Sequence, residues 1–477
     1  MSIQKELKKG FAITFVSKYS NIFFELIISF ILARLLTPEE FGIVALLLVF
    51  ITFFNIIGEI GIGAAIIQNK KLTDYHIQTI FNYSLIIAVL SATIFFFSSH
   101  FIANFYENQD YTNIGKILSS VIFFYILNVV PQALLRRGKQ FLKLEGSILF
   151  VNVITGILAI YLAYKGQGYY SLIYREIIKS ALLFFLNFYL SKFRLGQSFN
   201  RDGIRMIFGY SAYQFLFNFI NYFSRNLDNI LIGKFMGANS LGLYDRAYRL
   251  MLYPVQSLTF VITPVLHPVL AEYQHKPYII HDNYKGILEL LSFIGIPLSI
   301  FLYVSAEEII LVFYGEQWTN SVGVFKILAL TIWIQMTLSS TGAIFQALGK
   351  TNLLFVSGLI SALFTLTGIA YGIYQGSLEM VGYGILVAYC FNYFQVFYLL
   401  FVKGFKKPLF QYLIFFKSGF VAGLALIILV ICIEQFEDIA NIYLRLVVKG
   451  ILLVMAYLLG AFLVKKEYIR LLLKKGR

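Results

Sequence analysis

Five ionisable residues set in otherwise apolar surroundings carry the most concentrated chemistry in this chain: Arg225 and Asp228, then, across a short break, Asp245, Arg246 and Arg249. A charge inside an apolar helix costs roughly 3 kcal/mol unless it is paired or wetted. Arg246 and Arg249 are three residues apart and stack along one helical face, and Asp228 is well placed to neutralise one of them. Positive charge is left over. Guanidinium presents a planar fork to phosphate oxygens, so the cluster suits an anionic head group such as a phosphate or pyrophosphate.

Two smaller groups extend the pattern. Lys18 and Glu25 are seven residues apart, on one face of a helix, and Glu59 on the next apolar block is within reach of them. Arg175, Glu176 and Lys179 mark a third block, with Arg175 and Lys179 one turn apart on a common face. The candidate anion-binding set is therefore Lys18, Arg175, Lys179, Arg225, Arg246 and Arg249, with Glu25, Glu59, Asp228 and Asp245 as charge partners or proton-coupling groups. The competing reading is that such pairs only lock helices together, while Arg34, Arg445 and Lys449 snorkel from span ends.

What holds these charges is an apolar chain of 477 residues, 59% hydrophobic and only 13% charged, with a mean hydropathy of +0.77. No soluble core absorbs that much apolar surface. The apolar residues come in blocks of roughly 20, the length that crosses about 30 Å of hydrocarbon as a helix. A β-barrel would alternate instead, and runs such as Ala422 to Ile433 do not. The blocks predict an all-α integral membrane protein of about fourteen spans, near 11–35, 41–66, 78–100, 113–135, 146–164, 168–190, 206–233, 241–270, 286–304, 318–347, 352–374, 380–402, 409–433 and 441–464. The first block is too long for a signal peptide and lacks a small-residue cleavage site, so it reads as a retained span.

Orientation follows from the loops. With the N-terminus inside, the cytoplasmic segments collect Lys70 and Lys71, Arg136 to Lys143, Lys192 to Arg205, Lys276 and Lys285, Lys350, Lys403 to Lys407 and the basic tail. The opposite loops hold Lys165 and Lys234 against eleven acids, among them Glu39, Glu40, Glu107, Asp110, Glu307 and Glu308. That asymmetry places both termini in the cytoplasm. It also explains the net charge of +15, which is a signal of membrane topology and not of nucleic acid. Cys390 and Cys432 both fall inside predicted spans and read as apolar filler, so no disulfide, metal or cofactor is expected.

An internal echo organises the spans. Ile31 to Leu36, four loop residues, then Phe41, Gly42 and Ile43 line up without gaps, 200 positions on, with Leu231 to Met236, four residues, then Leu241, Gly242 and Leu243. Gln132, Ala133, Leu134, Gly138 and Lys139 are echoed by Gln346 to Lys350. The expectation is two pseudo-symmetric six-helix lobes, 1–200 and 205–404, with 405–477 adding two helices and the basic tail. An even number of spans per repeat makes the repeats parallel, which puts a cavity between two lobes and suits alternating access. No loop is long enough to fold a catalytic domain, and no nucleotide, zinc or nucleophile-elbow motif is present, so an enzyme is not expected.

The stretch Ile31 to Gly42, then Glu59, Gly61, Ala64, Ile66, Gln68, Asn69 and Lys70, resembles the polysaccharide transporter family. The likeness continues through Arg225, Asp228, Ile232, Gly233, Leu241, Gly242, Tyr244, Ala247, Arg249, Pro254, Pro264 and Pro268. These are the O-antigen, colanic acid and teichuronic acid type flippases of the multidrug, oligosaccharidyl-lipid and polysaccharide exporter superfamily. The resemblance implies inward- and outward-open states and a cationic cavity lined by spans one, two, seven and eight, where Lys18, Glu25, Arg225, Asp228, Arg246 and Arg249 match. There a polyprenyl-pyrophosphate-linked oligosaccharide would cross the bacterial cytoplasmic membrane. A Tyr-rich lining, with Tyr210, Tyr213, Tyr222, Tyr244 and Tyr248, departs from the pattern. Expected partners are the lipid-linked substrate, membrane lipid and the polymerase and chain-length machinery of a surface glycan, with no nucleic acid. A drug or cation antiporter of the same superfamily, a lipid II flippase and a membrane glycan polymerase or ligase stay open as alternatives.

Overall fold

The computed structural model describes residues 3–59, 62–69, 72–196, 201–434 and 441–464. Among them every regular element is helical. Hydrocarbon offers the backbone no hydrogen bonds, and the helix supplies them all from within one segment. Two compact units divide the chain, Met1–Gly242 and Leu243–Arg477.

In chain order the helices are α1 (Ile3–Leu35), α2 (Pro38–Glu59), α3 (Ile62–Gln68), α4 (Asp74–Tyr106), α5 (Asp110–Arg137), α6 (Phe141–Tyr164), α7 (Tyr170–Ser191) and α8 (Arg201–Ala271). They continue with α9 (Pro277–Val304), α10 (Ala306–Phe313), α11 (Ser321–Ala329), α12 (Ile332–Ser339), α13 (Thr341–Ala347), α14 (Thr351–Tyr374), α15 (Leu378–Phe397), α16 (Lys417–Glu434) and α17 (Ile442–Val464).

The described residues of the fourteen predicted blocks lie on helix. Among the described residues, ten helices are long and apolar enough to cross a membrane, or eleven when α11 to α13, bent by 45°, count as one broken span. The predicted block 168–190 is α7, whose Arg175, Glu176 and Lys179 load 22 residues with more charge than an apolar span carries. Blocks 206–233 and 241–270 form the single element α8, broken at Gly237 by a φ of 84° and a ψ of 173°. Only a residue without a Cβ takes that conformation at little cost.

Local chemistry sets the breaks. Before α2, Thr37 and Glu40 form a capping box: the Thr37 N–H donates to Glu40 Oε2 at 2.7 Å and the Glu40 N–H to Thr37 Oγ1 at 3.3 Å. Pro277 opens α9 at a position where its missing N–H costs nothing. Between α15 and α16 the chain runs through a π-helical segment, Tyr398–Phe405, and a 3-10 segment, Leu409–Phe416. These wrap an aromatic core in which Phe397 and Tyr412 stack at 4.9 Å with planes 4° apart.

The last two helices are fastened to the second unit. Gly419 and Gly423 of α16 face Ser292, Ile296 and Ile300 of α9, and Gly460 of α17 faces Ala422 of α16, leaving no room for side chains between the backbones. Lys449 of α17, read from the sequence as a snorkelling cation, turns inward instead. Its Nζ donates at 2.7 Å both to the Val304 carbonyl and to Glu308 Oε1, and Glu308 is only 2% exposed. Arg445 stands further off, 3.7 Å from the same oxygen.

Removing one partner of such a pair strands the other charge, at about 3–5 kcal/mol. Lys449→Met is therefore expected to lower the thermal midpoint of the detergent-solubilised protein markedly. Combining it with Glu308→Gln should recover most of the loss. An unshifted midpoint in the single variant would show that the pair holds nothing.

Candidate functional site

The break at Gly237 sets the start of the helical arm that carries the arginine cluster. About two turns further on, Asp245 is 4% exposed and takes both neighbouring arginines. Arg246 donates to Asp245 Oδ2 from Nη2 at 2.8 Å and from Nε at 3.2 Å. Arg249 donates from Nε to both oxygens at 2.9 Å. Asp245 of their own helix is thus a counter-charge to both Arg246 and Arg249. One buried carboxylate thereby holds two guanidinium forks.

Burial grades the three groups. The side chain of Asp245 is 6% exposed, that of Arg246 12% and that of Arg249 46%. Asp245 forms the floor and Arg249 the accessible edge. Tyr244 and Tyr248 lie on the same arm and stack on each other at 5.6 Å, so an aromatic face runs beside the arginines. Asp228 belongs to the first unit, is 5% exposed, and accepts the backbone N–H of Asn229 at 2.8 Å. The side chains of Arg225 and Glu59 lie outside the described residues, as do those of Tyr210 and Tyr213.

In the first unit Arg175 of α7 is buried and reaches across to Glu25 of α1, with Nη2 at 3.0 and 2.9 Å from the two carboxylate oxygens. The sequence had grouped Glu25 with Lys18, and Arg175 with Lys179. Lys18 is exposed on α1 and Lys179 is half-buried on α7. Beside the ion pair, the Tyr125 hydroxyl of α5 donates to Glu176 at 3.3 Å.

A polar ladder that the sequence reading missed continues from there. Asn152 of α6 donates to Asn21 of α1 at 2.6 Å, Ser147 of α6 to Asn187 of α7 at 2.8 Å, and Asn187 to Asn128 of α5 at 3.0 Å. Neutral amides inside apolar helices gain most by finding one another. The available signal was four asparagines, each inside a predicted span. At the other end of this unit Lys234 pairs with Glu107 at 2.7 Å, an exposed bridge that holds the Glu107 carboxyl below the usual carboxylate range.

Guanidinium forks such as those of Arg246 and Arg249 are of the kind that binds oxyanions, and the Glu25–Arg175 pair holds charge among apolar helices. Among the described residues no cluster of histidine, cysteine or carboxylate side chains has the form of a metal site.

The model of a family described as polysaccharide biosynthesis protein matches residues 31–323, more than half of the chain. Among individual proteins, the chain is 25% identical over 356 residues to the teichuronic acid biosynthesis protein TuaB of Bacillus subtilis (strain 168), covering 74% of each. It is 22% identical over 365 residues to the lipopolysaccharide biosynthesis protein WzxC of Escherichia coli (strain K12), covering 76% of this chain and 74% of that one. Among solved structures, the lipid II flippase MurJ in an inward closed conformation superposes with a TM-score of 0.73, at 16% identity, over 96% of this chain and 99% of that one. An inward-facing multidrug resistance MATE family transporter of the MOP superfamily gives 0.62 at 15% identity, over 83% and 95%. At such identities the two structures bear on the fold alone. The family match, spanning both the 31–42 stretch and the arginine cluster, carries the conclusion that this chain belongs to the polysaccharide biosynthesis protein family.

Proposed function

We propose that this chain is a flippase that carries a polyprenyl-pyrophosphate-linked oligosaccharide across the bacterial cytoplasmic membrane by alternating access, with both termini in the cytoplasm. The observation that carries the reading is the Asp245 cluster. Two guanidiniums are fixed by one buried carboxylate, and the one at the edge stays 46% exposed. The buried carboxylate pre-orients the forks, and the exposed Arg249 fork is the proposed grip on pyrophosphate. The polyprenyl tail stays in lipid, where no protein site is needed. The names of TuaB and WzxC, both biosynthesis proteins of charged surface glycans, support the same substrate class.

Lys18, Arg175, Lys179 and Arg225 complete the proposed cationic lining. Glu25, Glu59 and Asp228 are the proposed coupling groups. The predicted lobes 1–200 and 205–404, with 405–477 appended, are the proposed moving bodies. The polymerase and chain-length machinery are proposed partners, and the chain itself makes and breaks no covalent bond. A drug or cation antiporter would need an acidic site, and the surplus of arginine at Arg246 and Arg249 speaks against it.

Liposomes loaded with a fluorescent polyprenyl-pyrophosphate oligosaccharide test this directly. Losing one charge-assisted contact is worth about 1.5–3 kcal/mol, so Arg249→Ala should raise the apparent Kd roughly ten- to a hundredfold. Arg249→Lys, a point charge without the fork, should fall between. Leaflet exchange that is indifferent to both changes would remove the cluster from the binding site.

Coupling is checked with a proton gradient across the same vesicles. Glu25→Gln is expected to leave basal exchange in place and abolish its stimulation by the gradient. Retained stimulation, with a lower thermal midpoint, would make the Glu25–Arg175 pair a structural lock.

A further inference from the structure

The two sequence echoes meet each other in space. A Cβ built on Gly42 would overlap the carbonyl oxygen of Ala238, and one built on Gly242 would overlap that of Pro38. The same Cβ positions lie 2.9 Å from the nitrogen of Gly242 and 3.0 Å from that of Gly42. Residues 38 and 238, and 42 and 242, are both 200 apart, the offset of the internal echo. The contact is therefore reciprocal, position for position. It is the form a two-fold operator imposes on a self-complementary surface, here realised inside one chain.

Different chemistry produces the same break in each copy. In the first, Thr37 caps and Pro38 opens α2; in the second, Gly237 turns the chain and Ala238 restarts the helix. Burial then agrees across the copies: Leu32 is 1% and Ile232 0% exposed, Phe41 4% and Leu241 0%. The charge bias of the loops puts this joint at the external end, beside Glu39 and Glu40.

The joint is close, and the charge beside it is at the surface. It brings two helix starts together, and both carry partial positive charge. Glu39 and Glu40 offset that on α2, whereas Asn239 and Ser240 on α8 are neutral. No side chain is interposed at the two glycines. Neighbouring contacts include the Lys234–Glu107 bridge, a hydrogen bond from the Tyr106 hydroxyl to the Ile230 carbonyl at 3.3 Å, and one from the Tyr222 hydroxyl of α8 to the Val49 carbonyl of α2. Exposed bridges are worth about 0–1 kcal/mol, so the Lys234–Glu107 bridge parts at modest cost.

We propose that Gly42 and Gly242 are positioning residues for transport, forming an external seal in which the two repeats close backbone to backbone and part in each cycle. The proposal rests on the alternating-access reading. Any side chain at either glycine holds the seal ajar, and any covalent tie across it stops exchange.

The test uses full-length protein with Cys390 and Cys432 replaced by serine, and with Glu39→Cys and Asn239→Cys, both positions being exposed. Spin labels at the pair, in liposomes without substrate, should report a short and a long distance. Gly242→Ala, or Gly42→Ala if the first fails to fold, should shift weight to the long one. Joining the two cysteines with a short reducible cross-linker should bring leaflet exchange of a lipid-linked oligosaccharide down to the protein-free rate, and reductant should restore it.

A single distance in every condition, unmoved by Gly→Ala, overturns the seal, as does full exchange by cross-linked protein. Two distances that respond to Gly→Ala, with no exchange of any lipid-linked glycan by the untied protein, would keep the seal and remove the flippase reading instead.

Discussion

A charge placed in hydrocarbon must find its opposite or find water, and most of what is specific about this molecule follows from that requirement. The chain meets it in three places, with Arg175 on Glu25, Arg246 and Arg249 on Asp245, and Lys449 on Glu308. Charge balance alone does not rank them, because Glu308 also faces two cations. Distance and exposure do. Arg445 stands 3.7 Å from Glu308 with its side chain 37% exposed at the start of α17, so Glu308 and Lys449 form a closed pair with a loose neighbour. Both arginines at Asp245 sit within 2.9 Å of the same carboxylate oxygen, which fixes two forks with the charge of one. The first arrangement is a fastening, and the second is the proposed receptor for an anion.

Depth in the membrane was legible in the sequence, and neighbourhood was not. Apolar blocks of span length and the one-sided distribution of lysine and arginine gave the all-helical membrane class, because both depend on composition along the chain. The cluster at Asp245, Arg246 and Arg249 was legible too, because its members are one turn apart on one helix. Arg175 was visible as a buried cation, but its partner is 150 residues away on α1, and nothing in either segment names the other. Glu308 read as a loop acid and Lys449 as a snorkelling cation for the same reason. The asparagine ladder was missed because a neutral amide barely disturbs a hydropathy profile, although in lipid it still needs a partner.

The span count shows where composition stops being sufficient. Block 168–190 was placed by its flanks, and its three charges make it a helix that needs protein around it. Block 318–347 was drawn as one span and is bent by 45° at its middle. Chain breaks at Leu330 and Ser340 contain neither proline nor glycine, so no punctuation marked them. Gly237 falls among the four loop residues of the echo's second copy, between two predicted spans, and there the helix of 71 residues is interrupted.

Strength of attachment differs across the molecule in a way that suits a transporter. The pair α16 and α17 is held by buried charge and by glycines packed against backbone, interactions that cost several kcal/mol to undo. The meeting of Gly42 and Gly242 uses equally close backbone packing, but the charge beside it is at the surface, where solvent weakens it. A body that must change shape without unfolding needs both kinds of contact. Glycine suits either one, because it gives up side-chain packing for close approach. What decides whether such an approach is permanent is the depth of the charges around it. At Lys449 they are buried, and at Lys234 and Glu107 they are not.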